Sequence, residues 1–553
     1  MLFKKRITTY GFSGQKMSVR RWINAILVSF TLLTQNALSS NETSCVPYPI
    51  GIELRNVTLG NNVARGVSLS VGTPKQPFAF LPQWPLNSTF VYGTDGYCSD
   101  SMSEAACETF RGGAYDESTS TTGSTAQDSH LAEASPYPAF SWVTDDLILN
   151  DNTTLTEFPF GIARDDWGAQ GYHPQAAFGL GRNSTILNTL YSAGLIVSRS
   201  WAMWWGRTGA SETTQQDGSF VFGGYDRAKT TGANYTDKLN YANSKCPTGM
   251  LVTISDMVLN FANGTSASLF NDIQSSAMSA CIVPDYPVLM TIPRKPWFEM
   301  FQTSTGQTIS DRSFGIYYYG MLYEDTSDAY TGDLTISLLS GFSVRIPNDQ
   351  LVVPDLSIDQ SSGALVANGS TPELVVNALQ QGNADDLPQL GRQFLSSTYL
   401  MLNQDANSFT LWEASQDTDV DLVAVDEANR QLDQFCDSTK SDTTSSTHDV
   451  NSSDNDRNHR SNGLSAGAIA GVVVGCVVGA SIAAGSAFIW MVLKRKRRIA
   501  PKPDAGYTYQ SSSGMNTTGP PHEIGSYDTN PGFRHELPAP NRSTASSGLP
   551  ELP

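Results

Sequence analysis

Apolar positions between residues 50 and 436 come in short runs rich in β-branched and aromatic residues. Examples are Val67-Ser68-Leu69-Ser70-Val71, Leu147-Ile148-Leu149, Ser219-Phe220-Val221-Phe222, Leu334-Thr335-Ile336-Ser337-Leu338 and Phe409-Thr410-Leu411-Trp412. Gly, Asn, Asp and Pro punctuate the runs, so the period is that of strands joined by turns. Helical spacing is confined to Ile186 to Ala193 and Thr371 to Gln380. The pattern predicts an all-β body. Residues 40–436 are too many for one compact core, which predicts two lobes, at about 50–235 and 236–436.

The pattern changes sharply outside that body. Arg20 and Arg21, the apolar stretch Trp22 to Leu33 and the small-residue site Ala37-Leu38-Ser39 have the layout of a secretory signal peptide over residues 1–39, with Met17 as an alternative start. Residues 437–462 are Ser, Thr, Asp and Asn with little to bury, the composition of a stalk. Leu464 to Leu493 carries no charge and is long enough to cross a bilayer as a helix. Lys494-Arg495-Lys496-Arg497-Arg498 follows at once, so residues 494–553 are expected to be a cytoplasmic tail, rich in Pro, Ser and Gly and disordered. Gly467, Gly471, Gly475 and Gly479 share one face of the span, a spacing that permits self-association. The expected topology is a type I single-pass protein of the plasma membrane or cell surface, with an extracellular ectodomain.

Charge and cysteine usage fit that compartment. The net charge of −18 argues against a nucleic-acid partner, and the one dense basic run, beside the span, suits anionic headgroups instead. Cys45, Cys98, Cys107, Cys246, Cys281 and Cys436 precede the span as an even set, expected to be disulfide-bonded; Cys98 and Cys107 are close enough for a local bridge, and the other pairings stay open. Glycosylation sequons stand at Asn41, Asn56, Asn87, Asn152, Asn183, Asn234, Asn263, Asn368 and Asn451. His130 and His173 are the only histidines in the folded region, too few for a His-rich metal site or a Ser-His-Asp triad, and no cofactor is expected. Gly463-Leu464-Ser465-Ala466-Gly467 matches a hydrolase elbow in letters but lies at the mouth of the span, not between strand and helix.

Five segments carry a family resemblance. They are Val67 to Phe78 with its Gly72-Thr73-Pro74-Lys75-Gln76 turn; Ala177-Phe178-Gly179-Leu180-Gly181 with the following helix and Gly194-Leu195-Ile196; Asp217 to Asp226 ending in Gly223-Gly224-Tyr225-Asp226; Ala280-Cys281-Ile282-Val283 running on to Thr291-Ile292-Pro293; and Leu390-Gly391-Arg392-Gln393-Phe394-Leu395 with Tyr399 to Asn403. In this order, over roughly residues 50 to 415, they resemble the fungal-type, membrane-anchored members of the pepsin-like aspartic protease family. The resemblance implies a bilobal all-β fold with a substrate cleft between the lobes.

It also implies two Asp-Thr/Ser-Gly loops whose carboxylates share a proton and activate water. Neither loop is present. Ungapped comparison puts Gln83, Trp84 and Pro85 at the first and Pro284, Asp285 and Tyr286 at the second, so Gln83 and Pro284 stand where the family has Asp. Asp285 is one position away, and in extended chain that shift turns a side chain to the opposite face. It is a candidate lone carboxylate, but the expectation is a solvated loop residue between two prolines. The region Ser118 to Ser129 is Ser/Thr-rich where the flap should be, with Tyr137 as candidate flap tyrosine. Trp201, Trp204 and Trp205 are expected to be core residues of a strand, not a groove lining. The leading reading is an inactive cell-surface homologue whose cleft takes peptide or wall polysaccharide. The alternatives are an active membrane-anchored endopeptidase, and an adhesion or signalling receptor acting through Tyr507, Tyr509 and Pro520-Pro521 of its tail.

Overall fold

The computed structural model describes residues 45–436 except 85, 95–97, 99–100, 127–139, 165–173, 209–213, 271–276 and 310. The described residues fall in one compact unit. The expected signal, stalk, span and tail, with Asn41, Asn451, Tyr137, His130 and His173, lie outside them. Among the described residues no helix is long and apolar enough to cross a membrane.

The body is mostly β. Each run singled out in the sequence lies in a strand: Asn62–Val71, Phe140–Asn150, Gly218–Phe222, Asp333–Leu338 and Ser408–Ala414. Helix Thr185–Ser192 forms as its spacing predicts, with Ser184 Oγ accepting from Leu187 N–H at its start. The second predicted helix does not form. Thr371 to Gln380 runs instead from the end of strand Leu365–Leu374 into Val376–Ala378, which pairs in parallel with Met290–Ile292. Leu374, Val375, Val376 and Ala378 are buried on both faces, and a short apolar run of that kind has no period to tell strand from helix. Two further helices, Glu104–Arg111 and Glu299–Thr305, end at Gly112 and Gly306 in the left-handed conformation.

One strand motif occurs twice. In the first half Gln76–Gln83 runs parallel to Ala177–Gly179, which is antiparallel to Phe90–Tyr92, which is parallel to Thr153–Ala163. In the second, Met278–Ile282 runs parallel to Gln389–Leu390, which is antiparallel to Met290–Ile292, which is parallel to Val376–Ala378. The antiparallel neighbours Asn62–Val71 and Leu251–Asn260 extend the two copies in the same way. Parallel pairs between such short strands require long crossovers, so the coincidence marks a duplicated architecture, not a chance of turns.

The halves are joined through strands Ser200–Trp204, Thr398–Asn403 and Ser408–Ala414, which continue the sheet of the first half, and through a common apolar core that includes Trp84, Trp201, Phe220, Ile282 and Leu395. Trp201 and Trp205 are buried in that core and Trp204 in a separate apolar cluster with Tyr225, Tyr399 and Trp412, so all three are core residues, as their neighbours suggested. Three disulfides close the fold: Cys98–Cys107 within the helix-bearing loop, Cys246–Cys281 beside the second parallel pair, and Cys45–Cys436 across 391 residues.

Candidate functional site

The two parallel pairs end at the positions that the sequence singled out. Gln83 is the last residue of its strand and is fully buried, its carbonyl accepting from Leu180 N–H at 3.0 Å. In the second half the strand ends at Ile282, followed by Val283, Pro284 and Asp285. The loops are brought together by Trp84. Its indole N–H donates to Pro247 O at 2.7 Å, and its ring lies 6.3 Å from that of Tyr241 at an interplanar angle of 9°. Thr248, next to Pro247, donates its hydroxyl to Ile282 O at 2.8 Å. An indole from one half is thereby anchored on the segment that holds the end of the equivalent strand in the other.

Asp285 is not the solvated loop residue expected from its proline neighbours. It is 1% exposed. The physical reason is Arg392, fully enclosed beside it and drawing on its negative charge. Burial pulls the Arg392 guanidinium down to about 10, against the opposing influence of Tyr317 and Asp285. Arg392 lies 5.2 Å from the Trp205 ring centre and Arg65, from the first half, lies 5.7 Å from it. Arg65 is also brought down to about 10 by burial, with Asp217 offsetting part of the effect, and it donates to Trp205 O (2.8 Å) and Gln216 O (2.9 Å). A buried and a half-buried cation share one indole, an arrangement suited to guanidinium because it is flat and weakly hydrated. Amides complete the surroundings: Gln350 Oε1 accepts from Thr208 N–H at 3.0 Å and from Gln393 Nε2 at 3.2 Å.

Another buried carboxyl is one that the sequence did not single out. Glu373 is fully buried and neither oxygen has a hydrogen-bond partner among the described residues. Burial first, and then the nearby charge of Asp355, push it up to about 9; the hydroxyl of Ser313 is turned to Asp355 Oδ1 at 2.8 Å. A Cβ placed on Gly320 would stand 2.0 Å from Glu373 Oε1, which shows how closely the backbone seals the group. Arg65 and Arg392 share one sequence signal, a charged residue beside apolar neighbours in a strand or turn, whereas Glu373, after Ser370-Thr371-Pro372, has none.

Ser120 and Thr122, from the Ser/Thr-rich stretch, join Tyr115 in a separate polar cluster around Asp145. Its carboxylate accepts from Tyr115 (2.6 Å), Ser120 (2.6 Å), Thr122 (2.5 Å) and Asp146 N–H (2.8 Å). Burial favours its neutral form, but these bonds outweigh burial and hold its pKa below the ordinary value.

Of the sequon asparagines among the described residues, Asn56, Asn152, Asn183, Asn234, Asn263 and Asn368 are exposed. Asn87 is half-buried and its side-chain oxygen accepts from Asn183 N–H at 3.0 Å. Among the described residues no group of three His, Cys, Asp or Glu is placed to hold a metal ion.

No family model matches the chain, and no curated protein matches it. Among solved structures it is similar to an aspartic proteinase from Irpex lacteus, with 16% identity, 66% of this chain and 98% of that one covered, and a TM-score of 0.45. At that distance the likeness carries no weight for chemistry.

Proposed function

We propose that this chain is a pepsin-like aspartic protease homologue displayed at the cell surface, with a cleft that receives peptide or wall polymer and no longer hydrolyses it. The observation that carries the reading is the occupancy of the two loop positions. A carboxamide, Gln83, and an interlobe indole, Trp84, stand at one. Pro284 stands at the other, and the adjacent Asp285 is engaged with the buried Arg392. The chemistry of the family needs two carboxylates sharing one proton, and neither Gln83 nor Pro284 supplies one. The duplicated strand motif supports the bilobal architecture on which this rests. The uncharged stretch 464–493, the basic run after it and the exposed sequons support a glycosylated, anchored ectodomain.

The test is cleavage of a broad peptide library at acid pH by the full chain, with and without a transition-state-mimicking aspartic protease inhibitor. No inhibitor-sensitive turnover is expected. Turnover that the inhibitor abolishes, and that is lost in Asp285→Asn while the fold persists, would make the chain an active anchored endopeptidase.

A further inference from the structure

Away from the loops, the turn Gly181 to Ser184 leads into helix Thr185–Ser192, and the hairpin between Thr398–Asn403 and Ser408–Ala414 folds against it. Gln404 fixes the contact by donating its amide to Leu180 O (3.0 Å) and Gly181 O (2.7 Å). Between these turns and Tyr241 lies a cavity of about 460 Å³ lined by Arg182, Asn183, Arg199, Tyr241, Gln404 and Asn407.

The two guanidinium groups in it differ. Arg199 is neutralised: its Nε and Nη2 face Asp405 Oδ1 at 2.8 and 2.5 Å, and its Nη1 donates to Asn188. Arg182 forms no ion pair with any described residue. Its guanidinium rests 4.3 Å from the centre of the Tyr241 ring, which is itself stacked with Trp84, so the cation is held over a fixed aromatic and its donors remain available. An uncompensated cation in a polar recess of a chain with net charge −18 concentrates a field of the opposite sign to the rest of the molecule.

We propose that this cavity binds an oxyanion group, phosphate or carboxylate, with the planar fork of Arg182 making the bidentate contact and the carboxamide of Asn407 acting as a neutral donor. The anion is either free or carried on an acidic sugar.

Calorimetric titration of the full chain with inorganic phosphate and with glucuronate tests it. Saturable binding is expected, weakened about tenfold in Arg182→Gln, less in Arg182→Lys, and falling with added salt. Saturation by phosphate alone supports the site with a free anion as ligand, and by glucuronate alone with a sugar-borne one. Arg182 is exposed, so its replacement leaves the fold intact; Asn407→Gly removes a carboxamide while keeping the positive φ of 51°, and a smaller loss is expected there. Absence of saturation by either probe, or equal binding by wild type and Arg182→Gln, overturns the proposal.

Discussion

Glu373 makes the fold sensitive to alkali. Its folded pKa of about 9 stands above the ordinary 4.5, so between those values the folded chain keeps a proton that the unfolded chain releases. The unfolded state therefore binds fewer protons, and stability declines as pH rises through that window. Glu373→Gln removes the titration. It should stabilise the protein at pH 7 by at most about 3 kcal/mol, and hardly at all below pH 4.5. Urea unfolding of both forms at pH 4.5 and pH 7.5 measures this; a gap that does not widen with pH would show that Glu373 is ionised in the fold. Charged residues such as this were the least legible part of the sequence, because a lone Glu between Pro372 and Leu374 reads as a solvated position and only the strand pairing encloses it. Asp285 misled in the same way, since its engagement with Arg392 joins positions more than a hundred residues apart.

Strands whose two faces differ were legible, because alternation reports burial directly. Asp333–Leu338, with Leu334, Ile336 and Leu338 inward, is an instance. Val376–Ala378 was not, since both of its faces are covered. The loop after Gln76–Gln83 shows what an element gains from one side chain: Trp84 links it to the segment Pro247-Thr248 of the other half. Trp84→Ala removes a nearly buried indole, and a loss of roughly 3–5 kcal/mol is expected. Because the contact crosses the halves, limited proteolysis should find them separating before either melts. A loss under about 1 kcal/mol, the range of a single ordinary hydrogen bond, would mean that the indole is not what holds the loops together.

At the scale of the whole molecule the duplication is visible only in how the strands pair, since no run of residues repeats recognisably between the halves, whereas the even cysteine set foretold a closed framework without saying how it closes. Cys45–Cys436 supplies the closure, reinforced by Val46 N–H donating to Gln434 O at 2.9 Å and Cys436 N–H to Val46 O at 3.0 Å. Cys45→Ser with Cys436→Ser frees the unfolded chain of a very long loop, and thermal unfolding should report a loss of up to about 5 kcal/mol, with an unchanged midpoint telling against any tethering role.

That bond also makes the described body a covalent ring. A single backbone cut anywhere between Cys45 and Cys436 opens the ring without producing two molecules, so nicked protein keeps its full mass until a reductant is added.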